Sequence, residues 1–511
     1  MKTSLKKPLK VLFVCAEAAP FVKVGGLGEV MRALPKAMRE LGVDARVFVP
    51  KYASVDQKKF PMKRVMDRIR IASKEEDPNG ILISQVLMHT HDAESGGVTY
   101  FLENEECYEK RANVYGYSDD TMRFVLLSRA AVEFMRRSEW KPDFVIANDW
   151  MTGFVPDLMR TEFKDDPVLK GIGTIFCIHN LHNQGTFAPD FVPEMEADFG
   201  RKPIPPFFSD MKYLNGMRRG ILYADQVVTV SPTYAREILS DEYGEKLEGV
   251  LQERRANLTG IMNGIDVDVF NPMTDPLVVF RYDARHTENR ARNKAVLQEK
   301  MGLTRDDASM LLAYNGRLDK QKGITLIQDV IRQLLDNLPI QFVLLGDGSS
   351  EYKMFFQKLV EDYPGRAAAM LQYDGEMPKV IYAGADAMLM PSKFEPAGLV
   401  QLEAMRYGAI PIVRKTGGLA DTVEDADPEH RIGTGFVFEK YDAQALLISV
   451  VRAYETYRNV HEWRRLVERA MAQDFSWKNS ARKYIALCKR MQGTEETAGK
   501  RTKSEPKRKG R

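Results

Sequence analysis

The sequence predicts an α/β protein built from two parallel-sheet domains, and three observations lead there. Short apolar runs alternate with helix-period segments almost throughout, as repeated strand–helix–strand units require. The runs fall into two series, one ending near residue 230 and one beginning near residue 310, with a charged segment between them. The length, 511 residues, suits two such domains, and a 44% hydrophobic composition supplies a core for both.

In the first series the strand candidates are KVLFVCAE, ARVFVP, FVIAND, GTIFCIHN and VVTVSP. Each ends in polar or small residues, at the edge of an open parallel sheet where ligands bind. The second series reads LLAYNGRLD, FVLLGDGS, AMLMPS and IPIVRKTGG. Between its first two strands, Ile327, Val330, Ile331, Leu334 and Leu335 recur at helical spacing and form one apolar face. Residues 266–306, with Asn271-Pro272 and Asp275-Pro276, read as a connector. The expected organisation is therefore two Rossmann-like domains, 1–265 and 307–475, facing each other across a cleft. Residues 476–492 form an amphipathic helix with Ala481, Tyr484, Ile485 and Cys488 on one face. Residues 493–511 lack an apolar period and are expected as a disordered basic tail.

Composition excludes several classes. No run of 18 apolar residues appears, which argues against a membrane span. The N-terminal MKTSLKKPLK leads into a strand-like run without a signal cleavage site, so a cytoplasmic protein is expected. Four cysteines without a CxxC pair read as reduced, buried thiols, and the seven scattered histidines complete no metal set. The net charge of +3 lacks the basic surplus of a dedicated nucleic-acid binder. Residues 500–511 hold seven Lys or Arg against Glu505, so this end carries +6 and the remainder −3.

Four segments carry candidate chemistry at strand ends. KVGGLGE, 23–29, places Lys23, Gly25 and Gly26 before a helix, where backbone amides and a cation suit an anion. NGRLDKQKG, 315–323, places Arg317 and Lys322 beside a helix start, two cations fit to balance a diphosphate. PSKFEPAGLVQLEAMRYG carries Glu395 and Glu403. With a helix beginning near Gly398 these carboxylates lie about 12 Å apart along its axis, enough to serve a sugar and a ribose. RKTGGLADTV adds Thr416, Gly417 and Gly418 as a further phosphate cradle. Alone, each glycine loop reads equally well as an ordinary turn. Together they suit a nucleotide-diphosphate sugar.

These motifs combine with Tyr115-Gly116, Arg123-Phe124, ANDWMTG, IHNLHNQGTF, YADQVVTVSPTYAREI, GIMNGIDVDVFNP and DFSW. With all these blocks in order, residues 9–490 resemble the bacterial- or archaeal-type glycogen/starch synthases, retaining glucosyltransferases of the GT-B fold. The resemblance implies that the C-terminal helix crosses back to the N-terminal domain. It implies ADP-glucose or UDP-glucose as donor, with no further cofactor, and the non-reducing end of an α-1,4-glucan as acceptor. Glu395, Arg317, Lys322 and His179 would then be catalytic. Lys23, Gly25, Gly26, Asn263, Tyr373, Glu403, Thr416, Gly417 and Gly418 would bind the donor, with Glu29 and Asp149 on the acceptor side. Four departures from the family pattern bear on acceptor choice and rate: Glu29 for Asp, Met151 for His, Ala397 for Cys, and His182-Asn183 for Ala-Tyr. Two alternatives stay open on the residues: a transferase with a small acceptor such as a sugar phosphate, and a non-catalytic glucan-binding protein.

Overall fold

The computed structural model describes residues 7–72, 81–90, 97–185, 198–205, 211 and 213–502. They form two compact units. The first comprises Met1–Val230, Glu237–Ile261 and Trp477–Arg511; the second comprises Ser231–Arg236 and Met262–Ser476.

The first unit is organised on β1 (Lys10–Val14), β2 (Asp44–Pro50), β3 (Lys63–Ala72), β4 (Ile81–Thr90), β5 (Val98–Glu103), β6 (Phe144–Asn148), β7 (Gly173–Ile178), β8 (Gln226–Thr229) and β9 (Leu258–Gly260). Among the described residues these lie in the order β3-β4-β5-β2-β1-β6-β7-β8-β9. From β5 through β9 neighbours pair in parallel, and only β3, β4 and β5 pair antiparallel. The central strands β1 and β6 are buried almost end to end, as a sheet covered on both faces demands. The helix Gly26–Glu40 follows β1 and buries Val30, Met31, Leu34 and Met38 at i, i+1, i+4 and i+8.

The second unit contains β10 (Met310–Asn315), β11 (Ile340–Leu345), β12 (Ala367–Met370), β13 (Ala387–Met390), β14 (Ile410–Arg414) and β15 (Phe436–Phe438), all parallel. Their order, β12-β11-β10-β13-β14-β15, reverses between β10 and β13, the switch point at which open α/β sheets bind ligands. The expected helix spans Ile324–Asn337 and buries Ile327, Val330, Ile331, Leu334 and Leu335.

Three boundaries differ from expectation. Residues 266–306 do not form a connector but belong to the second unit's core. There the helix Asn289–Lys300 buries Leu297 against Gly384, where an added Cβ would sit 2.7 Å from the Leu297 Cβ. A segment rich in charge still folds in because a few apolar positions suffice to anchor it. Ser231–Arg236 also joins the second unit, through Thr233, whose amide and hydroxyl both donate to Asp421.

The last helix runs Trp477–Thr502, ten residues past its expected end, because helix formers such as Glu495, Glu496 and Ala498 need no apolar period to continue it. It packs in the first unit, as the crossing back implied, with Lys478 3.0 Å from Glu40 and the Tyr484 hydroxyl 3.4 Å from the Cys177 Sγ. Its buried face is Ala481, Tyr484, Leu487 and Cys488, with Ile485 at the margin. Residues 503–511 of the expected tail lie outside the described residues. All four cysteines are free and buried.

Candidate active site

In the first unit, the turn from β1 into the helix Gly26–Glu40 is built around a carboxylate that no motif singled out. Glu17 is buried, and its Oε2 accepts the amides of Val24 at 2.6 Å and Gly25 at 2.9 Å. Its Oε1 accepts the Tyr115 hydroxyl at 3.0 Å, so the Tyr-Gly block braces this loop. The Gly25 amide, expected to cradle an anion, is thus committed to Glu17. Gly26 remains exposed, with no atom within 4 Å of where a Cβ would stand. Lys23 pairs with Glu29 at 2.8 Å, and Glu29 reaches Arg32 at 2.9 Å with its other oxygen. Burial raises the Glu29 pKa, but these two cations outweigh it and hold the carboxyl below its ordinary value.

Asp149 and His179 are brought into contact at the ends of β6 and β7. The His179 amide donates to Asp149 Oδ1 at 2.7 Å. Asp149 is only 8% exposed and adopts φ 57°, ψ −179°, a conformation nearly reserved for glycine. Burial pushes its carboxyl up to about 7, against the His179 and Asn180 amides that pull it down. Loss of solvent around the imidazole lowers His179 to about 4, so the ring is neutral near pH 7. Its tautomer follows from its neighbour. The Asn148 amide nitrogen donates to the carbonyls of Val14 and Ile146, which turns Oδ1 toward His179 Nε2 at 2.9 Å. Nε2 therefore carries the proton and Nδ1 is an acceptor.

Two further family positions of this unit are buried in its interior. Arg123 is completely buried and donates to Asp120 and to the Cys107 carbonyl. Met151 is also buried, so its departure from His alters packing beneath the site.

In the second unit, Lys322 and Glu395 meet directly: Nζ lies 2.9 Å from Oε1 and 2.6 Å from Oε2. Glu395 is 9% exposed and also accepts the Ser392 hydroxyl at 2.9 Å. The Thr416–Gly417–Gly418 turn packs against the backbone carrying Glu395. A Cβ on Gly417 would stand 1.9 Å from the Glu395 carbonyl oxygen, and one on Gly418 1.7 Å from that of Ala397. The Gly418 amide donates to the carbonyls of Glu395 at 3.0 Å and Pro396 at 3.2 Å. These glycines therefore seat the Glu395 loop, and the expected open cradle is not formed at the Gly418 amide. Thr416 is buried beneath them.

Arg317 stands largely exposed, 3.0 Å from Asp319 and 2.8 Å from Gln321. Glu403 lies on the helix Val400–Arg406 and accepts the Tyr382 hydroxyl at 3.0 Å, while Asn315 donates to that hydroxyl at 2.8 Å. This helix begins two residues later than Gly398, which at φ +62° lies in the left-handed region and cannot be part of a right-handed helix. Tyr373 is 82% exposed, a ring face without packing, and Asn263 is buried. Three partners were missed by sequence reasoning: Glu17, Ser392 and Tyr382. The signal for Glu17 was an acid just past the first strand and ahead of a Gly-Gly turn; Ser392 and Tyr382 carried none.

Two sheets whose central strands run parallel, with polar strand ends, a switch point and a lysine–glutamate pair beside it, define a glycosyltransferase of the GT-B fold. Residues 10–253 match the starch synthase catalytic domain model, and residues 298–468 match that of glycosyl transferases group 1. A glycogen synthase of Clostridium perfringens is 40% identical over 484 residues, covering 94% of this chain and 98% of that protein. One from Thermotoga petrophila is 39% identical over 491 residues, covering 94% and 99%. The catalytic domain of starch synthase IV from Arabidopsis thaliana, bound to ADP and acarbose, superposes with a TM-score of 0.80 at 32% identity. That match covers 94% of this chain and 99% of the plant one. The chain belongs to the glycogen/starch synthase family. Among the described residues no helix is long and apolar enough to cross a membrane.

Proposed function

We propose that the protein transfers glucose from ADP-glucose, or UDP-glucose, to the non-reducing end of an α-1,4-glucan in the cytoplasm, with retention of anomeric configuration. The observation that carries the proposal is the Lys322–Glu395 pair, held by Ser392 and by the glycine turn packed beneath it. Lys322 and Arg317 meet the negative charge that grows on the leaving diphosphate, where fixed cations act most strongly. Donor arrival replaces part of each cation's present carboxylate contact with phosphate oxygen. Glu395 accepts sugar hydroxyls, and neutral His179 accepts one at Nδ1 while Nε2 stays bound to Asn148. Lys23 and the exposed backbone at Gly26 serve the donor, and Glu29 and Asp149 lie to the acceptor side. Asn263, Tyr373, Glu403 and Thr416 complete donor contacts, with the Tyr373 ring face offered to the base. The charge compensation uses side chains, so the reading assigns no cofactor.

The binding of ADP and acarbose by the plant relative supports both halves of this reading. The test is turnover. Arg317→Ala and Lys322→Ala should each lower turnover of ADP-glucose on glycogen by on the order of 100-fold or more while the protein stays folded. Near-normal activity in both variants would overturn the assignment.

A further inference from the structure

A cavity of about 550 Å³ opens in the second unit, within the roughly 300–1,000 Å³ of small-molecule sites. It lies at the edge of the sheet opposite the donor loops. Ala308 and Asp386 line it and stand just ahead of β10 and β13, whereas Arg317 and Glu395 follow the far ends of those strands. Its aromatic wall is Tyr454 and Tyr457, from the helix Ala443–Arg458, and Trp463, from the helix Val460–Met471.

The cations on its wall are already engaged. Lys294 is buried, and its Nζ donates to Asp386 Oδ2 at 2.7 Å, the Tyr457 hydroxyl at 2.9 Å and the Ser309 carbonyl at 2.5 Å, which uses all of its protons. Arg290 donates to the carbonyls of Tyr382, Ala385 and Tyr407. Arg464 lies 2.9 Å from Glu288 and 3.0 Å from Glu468, and Arg458 lies 3.2 Å from Glu455. Other polar groups on the wall are not engaged. Among the described residues Asp386 Oδ1, the Tyr454 hydroxyl and the Trp463 indole N–H form no hydrogen bond. None of them is sealed in the packing either, so each meets open space, and the space its residue lines is this cavity. Trp463 is only 8% exposed, and a tryptophan buried that deeply ordinarily finds a partner for its N–H.

We propose that this cavity is a second carbohydrate site, which takes a neutral pyranose ring. Charges that already pair with one another favour a neutral ligand. A wholly apolar one would strand the carboxylate oxygen and the buried N–H. Tyr457 stands edge-on to Trp463, with 5.3 Å between centroids and 85° between planes, so the two rings form a corner and not a slot for a flat base. A pyranose carries C–H groups on its faces, which pack on such a corner, and hydroxyls around its rim. Those hydroxyls donate to Asp386 Oδ1, accept from the Trp463 N–H and do either with Tyr454. This site goes beyond glucosyl transfer and does not depend on it.

The test is calorimetric titration of the full-length protein with glucose, maltotriose, adenosine and inorganic phosphate, in wild type, Tyr454→Phe, Trp463→Phe and Ala291→Leu. The first two substitutions each remove one hydrogen-bonding group and keep an aromatic ring. Ala291 lines the cavity from an exposed helix position, so Leu narrows the cavity without entering the core. A saturable sugar isotherm should weaken several-fold in Tyr454→Phe and Trp463→Phe, and by roughly tenfold or more in Ala291→Leu, with each fold checked by circular dichroism. Because the variants alter only this cavity, the difference from wild type separates it from sugar bound elsewhere in the chain. Tighter binding of maltotriose than of glucose, with weaker co-sedimentation with glycogen in the variants, assigns a polymer segment as the ligand; equal binding assigns a free sugar. If Trp463→Phe fails to fold, the other two variants decide. Sugar isotherms in Tyr454→Phe and Ala291→Leu that match wild type, or no saturable sugar binding, overturn the proposal. Binding of adenosine or phosphate that these substitutions weaken, with no sugar bound, also overturns it. Turnover of ADP-glucose on glycogen is read separately: an inactive wild type whose sugar binding the variants weaken keeps this site and counts against the proposed function instead.

Discussion

Removing the Lys322 ammonium should separate the structural from the chemical work of the Lys322–Glu395 pair. Glu395 is 9% exposed, and Lys322 supplies contacts to both of its oxygens, at 2.9 and 2.6 Å. In Lys322→Met the carboxylate keeps only the Ser392 hydroxyl at 2.9 Å. A buried charged group left short of partners costs about 1–3 kcal/mol. The Lys322 side chain is 24% exposed, so water reaches this edge and the lower half, about 1–2 kcal/mol, applies. For a unit of this size that lowers Tm by roughly 2–8 °C.

Adding Glu395→Gln removes the stranded charge. The double variant should recover to within about 1 kcal/mol of wild type, as coupled neighbours do. Its turnover should nevertheless stay down by on the order of 100-fold or more, because both the phosphate cation and the sugar acceptor are gone. Thermal unfolding without ligand and nucleotide release in the presence of glycogen read the two quantities separately. A double variant destabilised by the sum of the two single changes would refute the reasoning, because the side chains would then act independently.

Other perturbations follow from the same geometry. In the folded chain burial raises Asp149 to about 7, so its contribution to stability is present at low pH and is lost as pH rises toward that value. Asp149→Asn should therefore gain stability relative to wild type between about pH 4 and pH 7 and then level off, as measured by urea unfolding at a series of pH values. His179 has the opposite sign: lowered to about 4, its contribution is present above pH 6.5 and is lost as pH falls, and His179→Gln should flatten that limb. Gly418→Ala places a Cβ 1.7 Å from the Ala397 carbonyl oxygen, so the turn must move. Roughly 3 kcal/mol or more of stability should be lost, together with the seat of Glu395, and calorimetry with a turnover assay checks both.

The layers of this protein were written plainly in the sequence. Fully buried parallel strands produce apolar runs such as VLFV and FVLL, and a helix on a sheet repeats Ile327, Val330, Ile331, Leu334 at its own period. Less legible are β3, whose described start is largely exposed, and β15, which at three residues is too short to show a period. Residues 266–306 read as a connector because charge density hides a few anchoring residues such as Leu297 and Tyr282. Of the site, Lys322 and Glu395 are legible from their motifs, while His179 and Asp149 come only with the family resemblance; that Lys322 meets Glu395 and His179 meets Asp149 is seen in the structure alone. What the motifs hid was how the glycines work. Gly25 donates to Glu17, and Gly417 and Gly418 let two backbones touch. A loop sequence reports that glycine is required, but the carboxylate or carbonyl that requires it lies far away along the chain. Glu17 and Tyr115 are 98 positions apart, and no local pattern joins them.

The central claim is glucosyl transfer from a nucleotide sugar to an α-1,4-glucan. Its most direct test offers purified protein ADP-glucose or UDP-glucose, with and without glycogen, while nucleoside diphosphate release and polymer growth are followed together. Release that requires glycogen, matched by added α-linked glucose at chain ends, is the predicted result. Release that requires a hexose phosphate acceptor instead, or none from either donor with glycogen present, would contradict it.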